Sequence, residues 1–325
     1  MSILNWLGAL PGAAAQGIIW GIMAIGVYFT YKILDVADLT VDGSICTGGA
    51  VCAVLMTAGM DAWLAMLIAT AAGVLCGLLT GVFHTLMGIP AILAGILTQL
   101  ILWSVNLKIM GQANMALPSR SFDVLVAASR VGVSLPILIA FVVVLIALLY
   151  CFLGTELGAA LRSTGCNMNM SRAQGINVEL IKVLGLALSN GVVALSGALL
   201  TQYQGFADIN MGRGAIVIGL AAVIIGEVVT SRLANSNFVK KIGIVYAFRL
   251  LGVVIGGVIY FFVYQTVVFL GLDTDLLKML SALVVAVFLA VPYWKKRYLS
   301  SPHKKAAVPA AANTNDAVKE DESDA

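Results

Sequence analysis

The chain carries nine apolar stretches of 18 to 29 residues, near 9–31, 43–60, 62–87, 88–112, 134–153, 177–202, 213–230, 242–270 and 277–294. A bilayer core takes about 20 apolar residues of helix. Lipid offers no hydrogen bonds, so a spanning backbone must satisfy its own polar groups, which a helix does and an isolated strand does not. The stretches therefore predict an all-α, polytopic membrane protein of about nine or ten transmembrane helices. Gly88-Ile89-Pro90 parts the third stretch from the fourth as a hairpin. The eighth is too long to stand upright and must tilt or emerge.

Composition excludes the soluble alternatives. Of 325 residues 61% are hydrophobic and 11% charged, against roughly 25% charged in a soluble domain. A soluble enzyme, a nucleic-acid binder and a disordered scaffold are ruled out. The net charge of +3 is spread over many loops and points to no anionic partner. Cys46, Cys52, Cys76, Cys151 and Cys166 form no CxxC pair and read as small packing residues, neither a disulfide framework nor a metal site. Met1 to Gln16 lacks Lys and Arg, so the first stretch reads as a retained helix instead of a cleaved signal. Residues 1–298 form the transmembrane domain; 299–325, with no apolar face, are expected to be a disordered tail.

Basic residues orient the bundle. With Lys295, Lys296 and Arg297 on the cytoplasmic side, the same side holds 13 of the 19 basic residues and the other side 5, with Arg249 left inside a stretch. The C-terminus is expected in the cytoplasm. Nine spans place the N-terminus outside, and a tenth would reverse that end alone.

Two segments 170 residues apart resemble each other: Ala37-Asp38-Leu39-Thr40-Val41-Asp42-Gly43-Ser44 and Ala207-Asp208-Ile209-Asn210-Met211-Gly212-Arg213-Gly214. Each precedes a short, Gly-rich apolar stretch, and the charge rule puts the first at the cytoplasmic surface and the second outside. Similar elements separated by an odd number of spans are what an inverted-topology repeat requires. Asp38, Asp42, Gly43, Asp208, Asn210 and Gly212 are thus candidate helix-break and gate residues. The alternative is that both are ordinary helix starts, which favour Asp, Thr, Asn and Gly anyway.

Chemistry of the enzymatic kind is not legible. The histidines are His84 and His303, there is no HExxH or GxSxG, and no acids pair at helical spacing within a stretch. Near the cytoplasmic end, Glu227 and Arg249 either lock two helices as an ion pair, serve a proton route, or snorkel to the interface. No acid is expected buried at the midplane. Gln99, Ser189, Asn190, Gln202 and Gln204 either line a translocation path or tie helices together. Gly73 with Gly77, and Ala215 with Gly219, have the spacing of close helix contacts. No GxxxxGK[ST] loop occurs and Gly-Lys is absent, so an ATP-driven process would need its motor on another polypeptide.

The 154–177 segment is too polar to span and too apolar for a plain linker. Leu157, Ala160 and Leu161 recur at helical spacing, Gly165 can stop a turn, and Asn167 or Asn169 can cap the next. Met168, Met170 and Ala173 offer an adaptable apolar surface. The segment either docks a partner or lies on the interface.

Leu161-Arg162-x-Thr164-Gly165-x-Asn167 followed by Ala173-x-Gly175-Ile176-Asn177 resembles the cytoplasmic loop of permease subunits of branched-chain amino acid and ribose-type ABC importers. The Asp38-to-Gly43 entry, and Tyr203-Gln204-Gly205-Phe206 running on to Glu227, are similar to the branch paired with binding proteins for aromatic or related amino acids. The resemblance covers roughly residues 10–295. It implies a permease in the bacterial cytoplasmic (inner) membrane that functions with a second copy of itself, two ATPase subunits and an extracytoplasmic substrate-binding protein. ATP and Mg would sit on the ATPases, with no cofactor in this chain. Residues 158–175 would be the coupling helix region, with Arg162, Gly165, Asn167, Met168, Met170, Arg172 and Gly175 engaging the ATPase. Arg213 departs from the pattern, standing where a smaller or apolar residue is expected. The rival readings are a self-sufficient secondary carrier and a non-transporting scaffold subunit.

Overall fold

The computed structural model describes residues 3–117, 122–234 and 245–269, with five single positions between 279 and 290. Of the expected ninth span those five positions alone are described, all helical, and the 299–325 tail lies outside the described residues. The remaining eight apolar stretches are all helical: α1 Ile3–Tyr28, α2 Val41–Thr57, α3 Ala62–Thr85, α4 Ala91–Met110, α5 Val131–Gly154, α8 Val178–Gln204, α9 Ala215–Ala234 and α10 Val245–Phe269. Between α5 and α8 lie two short helices, α6 Glu156–Cys166 and α7 Met168–Ala173. Among the described residues six helices are long and apolar enough to cross a membrane, while α2 and the apolar part of α9 are shorter.

Local chemistry sets the boundaries. Asp61 and Asn177 cap α3 and α8, accepting the N–H groups of Trp63 and Leu180 at 3.1 Å. Gly88, in the left-handed region at φ +68°, turns the α3–α4 hairpin as expected. One feature has no signal in the apolar pattern. Two three-residue strands, β1 Asn114–Ala116 and β2 Phe206–Asp208, pair antiparallel with Met115 opposite Ala207 and clip the α4 end to the α8 end.

The core sits around α1 and α8. Of their most apolar 18 residues, 72% and 78% are buried, against 28% in α4 and α5, which turn an apolar face outward to lipid. The packing is an exchange: α8 lies against α2 and α3, and α1 lies against α9 and α10. Glycines permit both contacts. Gly73 and Gly77 of α3 meet the α8 backbone at Asn190 and at Leu186–Ala187, and Gly257 of α10 meets Gly17 and Gly21 of α1. Each half thus wraps its α1- or α8-type helix in the other half's second and third helices. That is the arrangement an inverted repeat of α1–α4 on α8–α10 produces.

The surface placement of the two similar segments is corrected by the structure. Asn190 lies twelve residues into α8, about 18 Å along its axis at 1.5 Å per residue, which is near the middle of a core of about 30 Å. Asp38 and Ser44 bond to Asn190, so α2 begins at that depth. The other segment descends from β2 to the same place: the N–H groups of Gly214 and Ile216 donate to Asp42, each at 3.0 Å. The two shorter helices, α2 and α9, meet N-terminus to N-terminus. Charge counting orients loops, but it does not register a segment drawn inward by polar partners.

Candidate functional site

Four polar elements meet where α2 and α9 begin. Asp38 is 3% exposed; its carboxylate accepts the Thr40 N–H at 2.8 Å and the Asn190 side-chain amide at 2.7 Å. The Asn190 carbonyl accepts the Ser44 hydroxyl at 2.6 Å. The Thr40 hydroxyl lies 2.7 Å from that of Thr80, which donates to Thr98 at 3.0 Å. This corrects the expectation that no acid is buried at the midplane. The carboxyl group is held by hydrogen bonds from its own chain, which answer part of the cost of burying it.

Asp42 performs a different task. It caps α9 from another helix, putting a negative charge on the positive end of the α9 dipole. Gly212 packs directly on the Asp42 carbonyl, where a larger residue would force the two segments apart. Cys46 completes the joint: its thiol donates to the Ile209 carbonyl at 3.4 Å and accepts the Gly212 N–H at 3.2 Å. Gly43 abuts Gln99 and Leu102 of α4. Asp208 accepts the Asn210 N–H at 2.7 Å and shapes the turn, while Asn210 is exposed.

Beside this joint opens a pocket of about 270 Å³ between α2, α4 and the 209–213 turn, with Asp42, Gln99, Trp103, Asn106 and Arg213 in its wall. Of the expected path residues, Gln99 alone lines it. Ser189 donates to the Gly26 carbonyl at 2.7 Å and ties α8 to α1. Gln202 is buried and accepts the Leu125 N–H at 3.1 Å, fastening α8 to the 122–127 loop, so its role is structural. Gln204 ends α8 outside the pocket. Trp103 and Asn106 escaped the sequence reading although their spacing from Gln99, four and seven residues, puts all three on one helix face.

The 154–177 segment is ordered as two capped helices. Thr155 caps α6, accepting from Gly158 at 3.3 Å, and Asn167 caps α7, accepting from Met170 at 3.0 Å. Gly165 does not stop a turn; it sits within α6 and packs on the Ile33 carbonyl in the π-helical turn Phe29–Ile33 that extends the end of α1. Leu161 and Leu34 are buried together against Gly185 of α8. Arg162 is held within the chain: its guanidinium stacks 4.9 Å over the Tyr246 ring of α10. Met170 is 60% exposed, Asn167, Arg172 and Gly175 are exposed as well, and Met168 is half-buried. Arg172 pairs with Glu179 at 3.3 Å in solvent, a contact worth little. Gly175, at φ +80°, turns the chain into α8. Glu227 finds its partner in Lys32 at 3.1 Å, linking α9 to the end of α1.

Spanning helices in two exchanged halves, two shorter helices apposed at their N-termini, and a pocket beside them with charged and amide groups in its wall define a multi-pass membrane transport protein. The chain belongs to the family described as the branched-chain amino acid transport system permease component, which matches residues 10–291. Its relatives include the tyrosine transport system permease protein of Clostridioides difficile, 40% identical over 284 residues, with 87% of this chain and 91% of the relative covered. An uncharacterized protein of Rickettsia prowazekii is 33% identical, covering 87% and 98%. The fructose import permease protein FruF of Bifidobacterium longum is 27% identical, covering 82% and 73%. No solved structure matches significantly.

Proposed function

We propose that this ABC-type permease imports an amino acid of the aromatic kind, delivered by an extracytoplasmic binding protein and driven by ATP hydrolysed on two ATPase subunits. The observation that carries the reading is the near full-length similarity at 40% identity to a tyrosine transport permease. The chain works as a pair in a bacterial cytoplasmic membrane, with its C-terminus inside, as 13 of 19 basic residues argue. ATP and Mg bind the partner ATPases.

The 155–177 helices are the docking element for the ATPase. A coupling element must be stiff, and α6 and α7 are capped and packed. Their load has a direct route inward: α6 bears on Ile33 and Leu34, and eight residues further on the chain reaches the α2–α9 joint at Asp42. Movement of the docked loop thereby shifts the 33–42 strap, and the strap moves the apposed N-termini. Arg162, Gly165 and Leu161 transmit force within the chain; Met170, Arg172 and the exposed end of α7 meet the partner.

Buried Asp38 gives the self-sufficient carrier the midplane acid it needs, so that rival is tested directly. The permease is purified, reconstituted alone and with its ATPases and binding protein, and assayed for L-tyrosine uptake. Uptake that requires ATP and the binding protein is expected; uptake by the permease alone would favour the carrier.

A further inference from the structure

Arg213 is the residue the family resemblance does not explain, and it stands in the pocket wall. The charges around it are unequal in their commitments. Asp42 already accepts two N–H groups from α9, whereas Arg213 has no ion-pair partner among the described residues. Deeper in the wall, Asn106 is 1% exposed, yet neither its amide nitrogen nor its carbonyl oxygen has a hydrogen-bond partner. Leaving a donor and an acceptor buried and unmatched is costly in any fold. An apolar residue would serve packing better at that position. Trp103 supplies an aromatic wall on the same helix face. The volume, about 270 Å³, lies near the lower end of small-molecule pockets, about 300–1,000 Å³, and suits one small solute.

We propose that this pocket is a solute-binding site on the import path, in which Arg213 binds a substrate carboxylate and Asn106 supplies a donor and an acceptor to the polar groups beside it. This rests on the amino-acid reading above and sharpens it. A guanidinium matches a carboxylate with parallel N–H donors, whereas a neutral sugar offers it no charge. Trp103 then faces the side chain of the bound amino acid, which favours an aromatic or large apolar one.

The test uses the complete transporter, with ATPases and binding protein, in proteoliposomes, and L-tyrosine as probe. Arg213→Gln is expected to lower maximal uptake about tenfold or more, while ATPase activity stimulated by the loaded binding protein stays within about twofold, since docking is untouched. Arg213→Lys should restore part of the uptake. Asn106→Leu separates a site from a scaffold: removing an unmatched buried amide should leave the thermal midpoint of the permease equal or higher while uptake falls. Wild-type uptake with both variants transporting normally would overturn the site and leave the tyrosine reading standing. Failure of the wild-type transporter to take up tyrosine would overturn that reading, and this inference with it.

Discussion

The Asp42 carboxylate accepts the backbone N–H of Gly214, 172 positions away, at 3.0 Å and so joins the two similar segments. Together with the bond from Ile216 it caps α9 from the start of α2. Asp42→Ala should cost about 0.5–2 kcal/mol for the lost cap and up to about 1 kcal/mol more from the helix dipole. Asp42→Asn should cost less, because its carbonyl still accepts one N–H. Thermal unfolding of the detergent-solubilised permease checks the order; equal midpoints for Asp42→Ala and wild type would refute the cap.

Asn190 holds both Asp38 and Ser44. Asn190→Ala strips a buried carboxylate of one partner and leaves the Ser44 hydroxyl without its acceptor. A loss of about 1–3 kcal/mol or more is expected. Asn190→Asp should be worse, since two carboxylates would face each other in low dielectric. Ser44→Ala, which removes a single outer bond, should be the mildest of the three in the same assay.

Gly165 lies on the Ile33 carbonyl with no room for a methyl group. Gly165→Ala must move α6 off the end of α1, so the permease should still fold and bind ATPase but convert hydrolysis into uptake poorly. The measurement is solute imported per ATP. An unchanged ratio would show that α6 does not transmit the stroke.

Exposed and packed residues of the coupling segment should separate. Met170→Ser should leave stability within about 0.5 kcal/mol of wild type yet weaken co-purification of the ATPase. Arg162→Ala should lose stability by about 0.5–2 kcal/mol through its stacking on Tyr246. If Met170→Ser copurifies ATPase at the wild-type ratio, α7 is not the contact.

Cys166 is an exposed thiol at the end of α6. A membrane-impermeant maleimide should label it in inside-out vesicles and not in intact cells, with Cys166→Ser as control. Labelling from the outside would put the whole segment beyond reach of any cytoplasmic motor.

Apolar runs determined eight of the helices within a few residues, because a lipid solvent leaves a long apolar segment no other way to satisfy its backbone. The same logic made 154–177 legible as something other than a span, and Asn167 was readable as a cap because capping is a local act. The two similar segments disclosed a repeat, and the exchanged packing of α1 and α8 follows from it. What local chemistry could not disclose is who meets whom. Asp38 reads as a surface acid until Asn190, 152 residues away, draws it inward. Arg162 reads as a free contact until Tyr246 lies beneath it. Gln202 and Asn106 are both amides in apolar helices, yet one is matched by a loop and the other faces a pocket. Burial and partnership are properties of distant elements brought within a few ångströms, and only tertiary structure assigns them.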